Sequence, residues 1–245
     1  MPDHPDRIRV RHLYPGTLNI YADRGNIAVL RRRAAWRGIE LEVDAVEAGD
    51  AVGDAADVDI FYMGGGQDRD QELVERHFLD VAGPATAEAL AAGAAGLFVC
   101  GGYQMLGRHY TTPAGLELGG IGYFDAHTES GPTRMIGNVT VRTEIAGVLA
   151  GFENHSGRTM LGAAATPLGR VLRGNGNDGG GFEGCLEGAA IGTYLHGPLL
   201  PRNPALADWL LVRALEHRAG APLPDLPPLD DALERQAFTA ALTRP

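Results

Sequence analysis

The chain has 245 residues, 44% of them hydrophobic, and a formal net charge of -10, which suits one large α/β domain with its own core. The acidic balance, with no basic run standing apart, argues against a nucleic-acid partner, and no stretch nears the roughly 20 apolar residues that span a bilayer. All 21 basic residues are arginine, and the two serines, Ser130 and Ser156, lie outside any G-x-S-x-G turn; a P-loop nucleotide site and a Schiff-base lysine are excluded and a serine nucleophile is disfavoured.

In chain order, Ile8 to Leu13 alternates as a first strand and stops at Tyr14-Pro15-Gly16. A helix opens at Asp23 to Asn26 and runs to about Arg37, closed by Gly38. Its Arg31-Arg32-Arg33 cluster, with Arg37, reads as a solvated face. Ile39 to Ala45 is a second strand, and Asp57 to Met63 a buried third one ending in Gly64-Gly65-Gly66-Gln67. Ala-rich helical sequence follows from about Gln71 to Ala92, interrupted near Gly83-Pro84, before a strand that ends at Cys100. Strands alternating with helices at this spacing predict a mainly parallel central sheet covered on both faces.

After Tyr110 glycine becomes frequent, and short β-rich pieces at Met135 to Glu144 and Thr159 to Ala165 read as antiparallel strands added to the same sheet. Gly174 to Gly181 is a long turn. Ala190 to Tyr194 is a further buried strand, with Leu195-His196-Gly197-Pro198 at its carboxyl end. A helix over Pro204 to His217, the Pro-rich Pro222 to Pro228 and a last helix near Asp230 to Leu242 complete the chain. This gives a domain over residues 1–220 and a Pro-rich tail with a short helix over 221–245, able to pack on the domain or on a partner. Met1-Pro2-Asp3-His4 carries no apolar signal core, so a cytoplasmic location is expected.

Two cysteines, Cys100 and Cys185, cannot form a disulfide framework, and no C-x-x-C or His/Cys cluster suggests a metal. In Gly96-Leu97-Phe98-Val99-Cys100-Gly101-Gly102-Tyr103-Gln104 an apolar run delivers a cysteine to a tight turn, and two small residues let the backbone reverse into the next helix. Reacting groups in open α/β sheets gather at the carboxyl ends of strands. The Gly64-Gly65-Gly66 loop, Cys100 and His196 all fall there. Taken singly, each has a plainer reading: a buried cysteine is usually a small core hydrophobe, and His109, His127 and His155 compete with His196. Together they describe acyl transfer through a thioester, in which histidine orients the thiolate and passes its proton to the leaving group. N–H groups of the glycine loop, centred on Gly65, and of Gly101 would bind the oxyanion, each contributing up to about 4 kcal/mol.

Cys100-Gly101-Gly102-Tyr103-Gln104 resembles the C-x-G-x-Q elbow of class I, triad-type glutamine amidotransferases, with Phe98 in place of the glycine usual two positions before the cysteine. The family usually continues its histidine as H-x-E; here Gly197-Pro198 follows His196, and the third triad carboxylate is missing from its expected place. The cobyric-acid-synthase-like branch shares both the Cys-Gly-Gly-Tyr-Gln form and this departure. Further blocks, Leu18 to Asn26, Gly64 to Arg69, Gly151-Phe152-Glu153-Asn154-His155 and Gly192 to Pro198, are similar to glutaminase subunits of lipid II isoglutaminyl synthase.

The resemblance implies a three-layer, flavodoxin-like amidotransferase domain that hydrolyses L-glutamine. It also implies a Mur-ligase-like synthetase partner that uses the ammonia to amidate D-glutamate of lipid II. No cofactor is expected in this chain; ATP and Mg are expected on the partner. By the same resemblance Arg134 would hold the substrate carboxylate, as suits a guanidinium fork, and Gln104 would contact glutamine or brace the elbow. Asp23 is the candidate for orienting His196, or else the N-cap of its helix. Cobalamin-type side-chain amidation, a non-catalytic partner-binding subunit and a stand-alone amide hydrolase are the alternatives.

Overall fold

The computed structural model describes residues 5–22 and 24–243. The elements run β1 (Arg7–Leu13), α1 (Arg24–Ala35), β2 (Glu40–Val46), β3 (Ile60–Met63), α2 (Asp68–His77), α3 (Gly83–Ala91), β4 (Ala95–Val99) and α4 (Gly101–Leu106). They continue through β5 (His109–Thr111), β6 (Glu117–Gly119), β7 (Ala126–Thr143), β8 (Gly147–Leu161), β9 (Gly169–Arg173) and β10 (Phe182–Glu183). β11 (Cys185–Glu187), β12 (Ala190–Thr193), α5 (Pro204–Ala219) and α6 (Ala232–Thr243) complete them.

The central sheet has the order β11-β12-β4-β3-β1-β2, parallel throughout except for β11. β3, β4 and β12 are buried along their whole length, because a parallel strand covered on both faces has no solvent side to alternate toward. The chain moves one way along the sheet from β1 through α1 to β2, and the other way from β3 through α2 and α3 to β4. Right-handed crossovers therefore put α1 on one face and α2 with α3 on the other. The reversal falls between β1 and β3, the kind of crevice that holds ligands in this topology.

The expected class holds, and several details differ from the sequence reading. The antiparallel strands expected on the central sheet, Met135 to Glu144 and Thr159 to Ala165, do not join it: β5 to β10 build a second sheet around the long β7–β8 hairpin, and the antiparallel strand of the central sheet is β11. The two short pieces read from sequence are stretches at or near the ends of that hairpin, whose alternation is broken by polar residues on both faces. The Ala-rich helical stretch starts at Asp68, and the interruption expected near Gly83-Pro84 takes the form of a change of helix type just before it. A π-helical turn over Phe78–Ala82 leads into α3, where proline occupies the first turn and needs no intrahelical donor.

The arginine cluster also departs from expectation. Arg33 is 2% exposed and forks both oxygens of Asp208, at 2.6 and 2.7 Å, while its third nitrogen donates to Asp231 at 2.6 Å. Arg37 donates to the same Asp208 and to the Pro227 carbonyl. Only Arg31 and Arg32 face water. Burial acts against the Asp208 charge, yet the two guanidinium groups hold its carboxyl below the usual range. The tail thus packs on the domain, tied by Arg33 and Arg37 across α1, α5 and the segment before α6, with Leu223 and Leu226 against the core. Among the described residues no helix is long and apolar enough to cross a membrane.

Candidate active site

β4 carries Cys100 to the carboxyl edge of the central sheet, where its backbone adopts φ 53°, ψ -105°. A non-glycine residue at this conformation stores about 1–3 kcal/mol, which the surroundings must hold in place. They do so through the Cys100 N–H donating to Thr193 O of β12 at 2.8 Å and the Gly102 N–H to Gly64 O at 3.2 Å. The Gln104 N–H bonds the Cys100 carbonyl at 3.0 Å, which starts α4. A Cβ on Gly102 would sit 2.7 Å from the Met63 carbonyl oxygen, so only glycine lets α4 start this close to β3.

β12 lies beside β4, and the chain leaving it reaches His196, whose backbone exchanges two hydrogen bonds with Phe152 of β8, at 2.8 and 3.1 Å. The second sheet thereby fixes the histidine. The ring is buried, with Tyr21 4.9 Å away between centroids. The point a Cβ on Gly65 would occupy lies 3.0 Å from both the Cys100 Cβ and the His196 Cε1. Cysteine, histidine and glycine loop therefore converge. Gly65→Ala pushes the two side chains by a few tenths of an ångström and is expected to lower kcat/KM for glutamine at least about tenfold. Its melting temperature should stay within a few degrees of wild type, measured alongside.

Cys100 opens onto a cavity of about 660 Å³ that Gln104 and Arg134 also line. Arg134 reaches it through an irregularity in β7: Ser130 pairs with Gly157 and Met135 with His155, so four residues of β7 face the single Ser156 of β8. Gly131-Pro132-Thr133-Arg134 bows out there, as a bulge with a proline that cannot join the ladder should. Arg134 donates from Nε to Asn154 Oδ1 at 2.9 Å and from a terminal nitrogen to the Asn154 carbonyl at 3.1 Å. Asn154 in turn donates to the Tyr21 hydroxyl, which links the arginine to the residue packed on His196.

Behind the cysteine, Gln104 accepts from Gln71 Nε2 at 2.9 Å and donates to the Tyr194 hydroxyl at 3.1 Å. Both ends of its amide are committed to bracing the elbow. His155 stacks on Tyr194 at 3.7 Å and approaches Glu153 to 4.0 Å. Burial opposes the Glu153 charge, but His155 and the N–H groups of Gly176 and Asn175 hold its carboxyl below the usual range. Glu183 has the opposite fate: burial pushes it up to about 7 although the Thr193 hydroxyl and the Tyr194 N–H donate to it.

Of the residues singled out from sequence, Cys100, Gln104 and Arg134 share one cavity. Gly65 and His196 adjoin Cys100, and Gly101 follows it with Gln71 packed 3.2 Å from its Cβ position. Asp23 lies outside the described residues. Sequence reading assigned no role to Tyr21, Gln71, Asp68 or Tyr110, all of which line the cavity. Tyr21 and Asp68 stand inside two of the blocks that resemble the family, but only proximity to the cysteine marks them.

A strained cysteine on a strand-to-helix elbow, beside a histidine from the neighbouring parallel strand, defines an α/β enzyme of the glutamine amidotransferase class. The chain belongs to the CobB/CobQ-like glutamine amidotransferase domain family, which it matches over residues 9–204. It is 41% identical over 239 residues to the Staphylococcus aureus protein named lipid II isoglutaminyl synthase (glutamine-hydrolyzing) subunit GatD, covering 97% of this chain and 96% of the relative. The Streptococcus pneumoniae protein of the same name is 34% identical over 241 residues, covering 96% of this chain and 90% of that one. A chain in the structure of PurLQS from Thermotoga maritima superposes with a TM-score of 0.60 at 14% identity over 83% of this chain and 97% of its own length, a likeness of fold.

Proposed function

We propose that this chain hydrolyses L-glutamine through a thioester on Cys100 and delivers the ammonia to a Mur-ligase-like partner that amidates D-glutamate in lipid II. The observation that carries the reading is the convergence of Cys100, His196 and Gly65 at one point beside a cavity holding Arg134. The near end-to-end match to two subunits named for lipid II favours this pathway over cobalamin-type side-chain amidation.

In this mechanism the Cys100 sulfur attacks the carboxamide carbon, and the developing oxyanion is bound by the backbone of Gly65 and Gly101. His196 gives the leaving nitrogen its proton, and ammonia departs as the thioester forms. A water, deprotonated by His196, then adds to the thioester and releases glutamate and the free thiol. Amide formation from a carboxylate needs activation, and without a lysine this chain has no phosphate loop for it. ATP and Mg belong to the partner in this scheme.

Arg134 holds the α-carboxylate with its planar fork, a geometry that an ammonium does not reproduce. Arg134→Lys is expected to raise KM for glutamine roughly 10–100-fold with a smaller change in kcat, as follows when a binding interaction is weakened equally in the ground and transition states. Steady-state ammonia release checks this. The pathway is tested by mixing the chain with a Mur-ligase-like partner, ATP, a D-glutamyl stem peptide and amide-labelled glutamine; label entering the α-carboxamide supports the reading, and glutamine consumption with no transfer removes the lipid II assignment.

A further inference from the structure

Glutamine reaches an active site as a zwitterion, so a site that selects it has to satisfy an ammonium as well as a carboxylate. Among the described residues that line the cavity, Asp68 supplies the one carboxylate. It is the first residue of α2, directly after the glycine loop, so the same turn that brings Gly65 to the cysteine aims Asp68 at the cavity. Its Oδ1 accepts from the Tyr110 hydroxyl at 3.1 Å. A carboxylate has about four acceptor positions, so this bond orients Asp68 and leaves it capacity for a ligand.

The placement relative to Arg134 makes the pairing specific. The Tyr110 hydroxyl holds Asp68 and Asn154 holds Arg134, and all four residues line the one cavity together with Ser156. Asn154 and Ser156 are two apart on β8, hence on the same side of the strand and about 7 Å from each other. A guanidinium held by Asn154 and a carboxylate held by Tyr110 thus face one cavity, which can take an α-carbon bearing both a carboxylate and an ammonium. Cys100 lines the same cavity.

We propose that Asp68 binds the α-ammonium of glutamine and, with Arg134, forms a zwitterion clamp that selects α-amino acids; this rests on the glutaminase reading above. The test compares L-glutamine with 4-carbamoylbutanoate, which is glutamine without its amino group, on the full chain with its co-expressed ligase partner. Wild type is expected to favour L-glutamine at least about tenfold in kcat/KM, as loss of a charge-assisted hydrogen bond should. Asp68→Asn should erase most of that preference by raising KM for L-glutamine, and Asp68→Glu should restore part of it. An equal loss on both substrates would assign Asp68 a structural role and overturn the clamp, as would a wild type that does not distinguish them, a result that needs no folded variant. If wild type consumes L-glutamine in a manner independent of Cys100, the glutaminase mechanism falls first, whatever Asp68 does.

Discussion

Cys100→Ala is expected to reduce ammonia release from L-glutamine by at least about 10⁴-fold, because removing the nucleophile leaves only the oxyanion site and binding to act on the amide. Circular dichroism and thermal melting should show an intact fold. The cysteine is 6% exposed and removal of one sulfur opens little volume in a packed core. The strained backbone gives the prediction a second arm. Cys100→Gly should be equally inactive and melt at or above Cys100→Ala: relief of about 1–3 kcal/mol of backbone strain outweighs the roughly 0.5–1 kcal/mol that glycine loses in chain entropy. Residual glutamine hydrolysis by Cys100→Ala within tenfold of wild type would end the thioester mechanism. A Cys100→Gly variant that melts well below Cys100→Ala would show that the turn is not strained.

Arg33→Met is expected to cost about 3 kcal/mol of folding stability, seen as a melting temperature lower by roughly 6–12 °C. The arginine is buried and neutralises Asp208 and Asp231 together; its loss leaves Asp231 in a partly buried site without that partner, while Asp208 keeps Arg37. The effect should be weaker in acid. A carboxyl held below its unfolded value contributes stability that is full above the unfolded pKa and disappears as pH falls through the lower folded one. Asp208 is such a group, so wild type and variant should converge in stability as pH drops below about 4. Ammonia release per folded molecule should change little, since the Arg33–Asp208–Asp231 cluster joins α1, α5 and the tail and none of its residues lines the Cys100 cavity. A variant as stable as wild type at neutral pH would make the Arg33 ion pairs exposed salt bridges in effect, contrary to the burial of Arg33.

Much of the fold was legible because its signals are local. The apolar runs ending at Met63, Val99 and Thr193 are short and unbroken, as strands buried on both faces must be. The turn at Cys100-Gly101-Gly102 could be read from the abrupt change from apolar to small residues. The β7–β8 hairpin was not legible at its true length, because a bulge at Gly131-Pro132 and polar residues on both faces hide a strand of 18 residues. The arginine cluster misled for a related reason. Helical spacing shows which residues share a face, and Arg33 and Arg37 do, but their acidic partner Asp208 lies 175 residues from Arg33.

The site divides along the same line. Local sequence was enough to single out Cys100, His196 and the glycine loop, the proposed catalytic parts, since a tight turn after a buried strand demands particular small residues at fixed spacing; Arg134 came from the family resemblance. What surrounds them was decided by tertiary structure. Tyr21 against His196, Gln71 and Tyr194 on either side of Gln104, and Asp68 with Tyr110 meet because β3, β4 and β12 lie side by side and the second sheet docks beside them, in part through the Phe152–His196 bridge. Those contacts join residues tens to well over a hundred positions apart, and no local propensity encodes them. They arise when burial of the parallel strands fixes the order of the sheet, and the order of the sheet decides which loops share its carboxyl edge.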